Sequence, residues 1–292
     1  MNAAPRVSVL IVSYNTRELL LESIASIVDE PGVETIVVEN ASGDGSPQAV
    51  TTRFPTVRLI CSGTNVGFAA GVNQAAAAAR AQVLLVLNPD ARLCPGALDL
   101  LLDVLAREPQ AALVGPTLRY PGGTWQASAF HFPGLVQVLL DLFPVARLMD
   151  SALNGRVHVD PDRDQPVPID YPLGACMLIR REAWDDVGPL DEGYFMYLEE
   201  IDWCRRARLR GWTIWHLPAA VAIHHGGAST RQYRDAMFAQ LWRSRLRYYQ
   251  RLHGPTFNRL VHLVIRLGLR RHAHRIGAPR TAFLGPVRRL VS

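Results

Sequence analysis

The sequence predicts an α/β fold: a mostly parallel sheet flanked by helices, followed by a basic helical C-terminal extension. Three observations predict it. Short β-branched apolar runs alternate with amphipathic or Ala-rich stretches, the pattern of strand–helix–strand units. Each of the first apolar runs gives way to polar residues where it ends or in the loop that follows. Beyond Thr230 the chain holds a single acid, Asp235, against a long series of arginines. An apolar fraction of 49% in 292 residues is ordinary for a globular core and argues against disorder.

Val7–Asn15 (VSVLIVSYN) predicts the first buried strand. A helix is expected next, with Asn15 as its cap, Glu18 completing a capping box, and Leu20, Ile24 and Ile27 on one face. Glu34–Asn40 (ETIVVEN) reads as a second strand and ASGDGSP as turn chemistry. Val57–Gly63 is a third strand, Phe68–Arg80 a helix, and AQVLLVLNPD a fourth strand. Leu98–Ala106 predicts a helix and AALVGP a further strand. Residues 120–170 are rich in Pro, Gly and Asp and poorly periodic, which predicts a long insertion over the site. GACMLIRREAWDDVG gives a strand and a short helix. A helix is expected to begin near Glu199, acidic in its first turn and basic at its end. TIWHLPAAVAIHHGGAST supplies one or two strands and a Gly-rich turn.

Open α/β sheets bind ligands beyond the carboxyl ends of their strands. Ser13 to Asn15, Glu39 with Asn40, Asn65, and Asn88 with Asp90 all fall at or just past those ends. Polar residues begin loops for ordinary reasons, but four such ends together are better explained by one crevice. A dinucleotide site is the rival, and it lacks its fingerprint. The first strand is not followed by G-x-G-x-x-G, and Gly63, Gly67 and Gly71 are spaced by four after the third strand.

The net charge is +5, carried wholly by Arg, and is concentrated after residue 230. Such a tail suits an anionic partner. In FAQLWRSRLRYYQRLHG and FNRLVHLVIRLGLRRHAHR, apolar residues and Arg alternate at helical spacing, with Leu260, Val264 and Leu267 on one face. That pattern fits an anionic membrane surface or a helix packed on the preceding domain; no recognition motif supports nucleic acid. Cys61, Cys94, Cys176 and Cys204 form no C-x-x-C pair and read as reduced thiols of a cytoplasmic protein. No apolar run approaches the ~18 residues of a membrane span.

Three features could carry chemistry. Asp90 is presented by the rigid Pro89, where a carboxylate suits Mg²⁺ or Mn²⁺ shared with phosphates; the alternative is a simple turn cap. Glu199, Glu200 and Asp202 crowd together among Phe195, Tyr197 and Trp203. That setting raises a carboxylate's pKa toward that of a general base, with helix N-terminal acids as the bland alternative. His224, in HHGGAST after an apolar strand, could ligate a metal or be structural.

Taken in order, VSVLIVSYN, IVVENASGDGS, NVGFAAGVNQA, LVLNPDA, GACMLIRREAW, GPLDEGYFMYLEEIDWCRR and IHHGGAST resemble a family 2 glycosyltransferase of GT-A fold, in the rhamnosyltransferase-like branch. The resemblance covers about residues 7–230. It implies a glycosyltransferase catalytic domain over 1–230; the basic amphipathic helical extension over 231–292 is expected to associate with a membrane surface. It further implies that Asp90 is the metal ligand to a nucleoside diphosphate and that His224, rather than His225, completes the metal site. Glu39 would accept a hydrogen bond from the base. Ser13, Asn15, Asn65, Gly67 and Asn88 would line the nucleotide pocket. Glu200, with Glu199 as its competitor, would be the general base. Asn88 stands where the family's D-x-D motif begins with Asp, and Glu39 and Glu200 stand where Asp is more usual.

The implied reaction is an inverting sugar transfer from dTDP-rhamnose or a UDP-sugar to a glycan or lipid-linked acceptor, at the inner face of the plasma membrane. A metal-dependent hydrolase built on Asp90, His224 and the acids is a competing class, and it would have no use for a base pocket at Glu39. A non-catalytic nucleotide-sugar-binding module is another, which formation of product from donor and acceptor would exclude.

Overall fold

The computed structural model describes residues 4–160, 163–227 and 234–275. Strand β1 (Val7–Ser13), helix α1 (Arg17–Ala25), β2 (Val33–Glu39), α2 (Ser46–Arg53), β3 (Arg58–Cys61), α3 (Phe68–Ala78) and β4 (Val83–Leu87) alternate as expected. They are followed by β5 (Ala91–Leu93), α4 (Ala97–Arg107) and β6 (Ala111–Arg119). The sheet runs β3-β2-β1-β4 in parallel. The chain therefore leaves β1 toward β2 and β3 and returns to place β4 on the other side. That reversal opens a crevice between the ends of β1 and β4.

Alternation across the pleat sends Val7, Val9 and Ile11 into one core and Leu10 and Val12 into another. The first core is closed by α1 and α4, the second by α3 and by the later helices described below. The glycine spacing singled out in the sequence has a packing cause. A Cβ on Gly71 would stand 2.7 Å from Val12 Cγ1, so only Gly lets α3 lie this close to β1.

The insertion holds more structure than its composition predicts. After two short strands, β7 (Trp125–Gln126) and β8 (Ala129–Phe130), come helices α5 (Leu135–Leu142) and α6 (Ala146–Met149). Strands β9 (Val167–Pro168) and β10 (Tyr171–Pro172) close it. Helix α5 buries Val138 and Leu142, which the surrounding Pro and Gly hid from a periodicity reading. It packs against the C-terminal part of the chain, while the segment reaches the crevice through Gln126.

Strand β11 (Cys176–Arg180) lies antiparallel between β4 and β6. It is followed by α7 (Arg181–Val187), α8 (Glu199–Leu209) and β12 (Thr213–His224). The strand β12 is single, parallel to β6 and irregular between Leu217 and Val221. At its far end it pairs antiparallel with β5, setting His224 opposite Ala91.

Helices α9 (Arg234–Leu252) and α10 (Pro255–Arg275) follow. Trp242, Leu246, Tyr248, Tyr249, Val261 and Ile265 share a core with Val138, Tyr194 and Ile201. One face of the Arg-rich segment is thus packed on the preceding fold. Leu260 and Leu267 point outward, and Val264 is half-buried. The boundary expected at residue 230, and Ser229 of the HHGGAST motif, lie outside the described residues.

Candidate active site

A cavity of about 410 Å³ opens at the carboxyl edge of β1 and β4. The expected nucleotide residues Ser13, Asn65, Gly67 and Asn88 line it, and so do Asp90 and His224 on one wall and Glu199 and Glu200 on another. Asn15 and Glu39 do not line it. Residues that the sequence reading passed over also contribute, among them Gln126 and Met237, as does Gly174 of the GACMLIRREAW motif. Gln126 sits in the aperiodic insertion and Met237 in the basic helix, so neither carried a local signal.

Asp90 is mounted on a hydrogen-bonded turn. The Ala91 N–H donates to the Asn88 carbonyl at 3.1 Å, and the Ser23 hydroxyl donates to the same carbonyl at 3.1 Å. The Asn88 N–H donates to the Ala175 carbonyl at 2.9 Å, fastening the turn to the loop before β11. Pro89 suits the turn by fixing φ. The pairing of β5 with β12 then delivers His224, whose Nε2 stands 3.3 Å from Asp90 Oδ1. Both side chains are buried. The His224 Nδ1 lies 2.9 Å from Gln126 Oε1.

A buried carboxylate and an imidazole side by side, open to the cavity, form a donor set that Mn²⁺ or Mg²⁺ accepts. Among the described residues no three His, Cys, Asp or Glu side chains gather as a metal cage. Two protein ligands with the remaining positions left to phosphate oxygens and water fit such a cation.

The start of α8 forms another part of the lining. Tyr197 (φ 70°) and Leu198 (φ 68°) both adopt left-handed backbone, an uncommon conformation for bulky residues. It is held from both sides. The Phe68 N–H donates to the Phe195 carbonyl at 2.8 Å, and the Ser244 hydroxyl of α9 donates to the Met196 carbonyl at 2.7 Å. A Cβ on Gly67 would fall 2.4 Å from that same Phe195 carbonyl, so the NVG motif permits the loop to close on α3.

Burial pushes Glu200 up to about 7, against partial relief from backbone N–H groups at the helix start. Burial, and then the neighbouring Glu200 charge, raises Glu199 well above the usual carboxylate range. Each has one buried carboxylate oxygen without a hydrogen-bond partner among the described residues. Glu199 is 4% exposed, whereas Glu200 is less buried and lies against Gly174. Asp202 is turned away and pairs with Arg206 at 2.9 Å.

Beside the cavity, the end of β2 and the loop after β1 are tied together. Glu39 accepts the Ser42 N–H at 2.9 Å and the Ser42 hydroxyl. Ser42 Oγ accepts the Asn15 N–H at 2.8 Å, and Asn15 Oδ1 accepts the Gly43 N–H at 2.9 Å. Asn15 therefore bridges loops rather than capping α1, whose N-cap is Thr16 without a side-chain cap bond. Its φ of 51° is a left-handed conformation that Asn tolerates. Asn65 Oδ1 accepts the Gly67 N–H at 3.0 Å, shaping the turn into α3.

A strand-end cavity lined by Asp90, His224 and a raised-pKa acid is compatible with a nucleotide-sugar transferase. Comparison with known proteins agrees. The model of the family described as Glycosyl transferase family 2 matches residues 8–188. The N-acetylglucosaminyl-diphospho-decaprenol L-rhamnosyltransferase of Mycobacterium tuberculosis is 33% identical over 229 residues, 73% of each chain. Among solved structures, a mannosyltransferase from Pyrobaculum calidifontis in complex with GDP-Man and Mn²⁺ superposes with a TM-score of 0.58. It is 18% identical, and the match covers 99% of this chain and 81% of that one. GalNAc-T7 with UDP, GalNAc and Mn²⁺ gives 0.59 at 15% identity, over 75% of this chain and 42% of that one. The chain belongs to glycosyl transferase family 2 and has the GT-A fold.

Proposed function

We propose that this glycosyltransferase transfers rhamnose, with inversion, from dTDP-rhamnose to a polyprenyl-diphosphate-linked acceptor in cell-envelope polysaccharide synthesis. The observation that carries the reading is the single cavity joining Asp90 and His224 to Glu199 and Glu200. The sugar and the acceptor rest on the mycobacterial relative's name.

Asp90 and His224 would hold the divalent cation. When bound, that cation supplies positive charge to the departing diphosphate. Ser13, Asn65, Gly67 and Asn88 seat the nucleotide along the strand ends; Glu39, buried outside the cavity with both oxygens bonded to Ser42, holds the neighbouring loop instead of meeting the base. Glu200, across the cavity, takes the proton of the acceptor hydroxyl as its oxygen attacks the anomeric carbon. Attack from the face opposite the leaving group inverts that centre. Burial holds Glu200's pKa near its working pH, and the Glu200 charge in turn adds to the burial that raises Glu199 beside it.

The extension would rest on the anionic inner face of the membrane. On α10, Val261 and Ile265 are fully buried, whereas Leu260, Leu263 and Leu267 on the other side are 46%, 54% and 48% exposed. Arg259, Arg266, Arg270 and Arg271 border that outward leucine stripe, an arrangement suited to anionic lipid. No helix among the described residues is long and apolar enough to cross a membrane.

A thermal-shift screen of dTDP- and UDP-sugars with Mg²⁺ or Mn²⁺, followed by product analysis with a polyprenyl-diphosphate acceptor, tests the reading. Stabilisation by dTDP-rhamnose and a product of inverted configuration are expected. Retention of configuration, or preference for another donor, contradicts it.

A further inference from the structure

We infer that Gln126 is a positioning residue for the metal site, setting the tautomer of His224 so that Nε2 faces Asp90 as a ligand. A neutral imidazole has one N–H and one lone pair. The His224 ring is held by the β12–β5 pairing with Nε2 toward Asp90 and Nδ1 toward Gln126. Gln126 presents Oε1 to Nδ1 at 2.9 Å, and an amide oxygen can only accept. With Nδ1–H donated to Gln126, Nε2 would keep its lone pair on the side of Asp90 Oδ1, 3.3 Å away, as a metal ligand requires. A divalent cation could then be held by both.

The Gln126 backbone is placed by its surroundings. Gln126 pairs with Leu118 in the β6–β7 ladder, and the Arg119 guanidinium lies 4.4 Å from the Trp125 ring centroid beside it. The Nε2 end of the amide points to Gly226, where a Cβ would stand 3.3 Å away. The glycine after HisHis thus leaves room for the amide that orients the first of them. The insertion over 120–170, silent in the sequence, would reach the active site to supply this one contact.

The inference deepens the proposed function, because it gives that metal site its orienting partner. Its test needs neither sugar nor acceptor. Long-range ¹⁵N–¹H NMR of the full chain reads the His224 tautomer directly, with His224→Gln assigning the signal among the nine histidines. Mn²⁺ titration by calorimetry, with and without dTDP, reads affinity. Wild type is expected to carry its proton on Nδ1. Gln126→Leu should shift it to Nε2 and weaken Mn²⁺ binding ~10–100-fold, the usual cost of losing such an outer contact. Gln126→Glu, which keeps an acceptor, should restore both. Wild-type protein protonated on Nε2, no Mn²⁺ binding by wild type, or wild-type tautomer and affinity in Gln126→Leu would each overturn it. If Gln126→Leu does not fold, the wild-type spectrum and Gln126→Glu decide. Absence of sugar transfer would count against the proposed function and leave the tautomer result standing.

Discussion

His224 Nε2 lies 3.3 Å from Asp90 Oδ1, although the two residues are far apart in the sequence. The juxtaposition is made by backbone pairing: β5 continues directly from the turn that carries Asp90, and it pairs with the end of β12. The metal-type pair is therefore a property of sheet topology, and it predicts a strict coupling between cation and nucleotide.

Replacing either partner should uncouple them. In calorimetry with dTDP or UDP, Mn²⁺ is expected to strengthen binding to the wild type. In Asp90→Ala and His224→Ala that enhancement should disappear. Enhancement of wild-type size in Asp90→Ala would remove Asp90 from the site.

The raised acid predicts a pH dependence. A general base works only when deprotonated, so turnover at saturating donor should rise with pH through about 7, the value to which burial pushes Glu200. A flat profile between pH 5.5 and 8.5 would contradict that role.

The same shift has a cost in stability. A carboxyl whose folded pKa is raised favours folding below its unfolded pKa, and this contribution is lost as pH rises through the folded value. Glu200→Gln removes the buried charge and should melt above wild type at pH 8, with the gap closing near pH 4. A variant less stable than wild type at pH 8 would show that the ionised group is well solvated.

Much of this fold was legible because strand ends are legible. VSVLIVSYN, ETIVVEN and LLVLNPDA each announce a buried strand and the polar group beyond it. The antiparallel orientation of β11 and the helix α5 were not, since orientation and tertiary packing leave no local period. Glu199 and Glu200 stood out as crowded acids, and the cavity contains both. Gln126 and Met237 reach it from segments whose composition pointed elsewhere, one an aperiodic insertion and the other a basic helix.

Helix α9 should matter to the chemistry through the loop that precedes α8. Asp191 in that loop receives Arg247 at 2.8 Å, together with Arg251 and the Gly193 N–H. Burial would raise Asp191, but these donors outweigh it and hold the carboxyl below its usual range. Its contribution to stability is present above the ordinary Asp pKa and is lost as pH falls through the lowered folded value. Asp191→Ala should cost about 1–3 kcal/mol in denaturant titration and lower turnover more than donor affinity. Unchanged stability would show that the clamp is idle.

The outward stripe of α10 makes a separate prediction. Leu260→Gln, Leu263→Gln and Leu267→Gln in combination should reduce sedimentation with phosphatidylglycerol vesicles while nucleotide binding in solution stays at wild-type strength. Undiminished sedimentation would move membrane contact elsewhere.

The account stands on one cavity that brings a nucleotide-binding wall and a base together, and Glu200→Gln separates the two most directly. Donor binding and single-turnover transfer should be measured on the same preparation with Mn²⁺ present. Donor affinity within a few-fold of wild type, with transfer slowed ~10²–10⁴-fold, is the predicted result. Transfer at the wild-type rate would contradict the account.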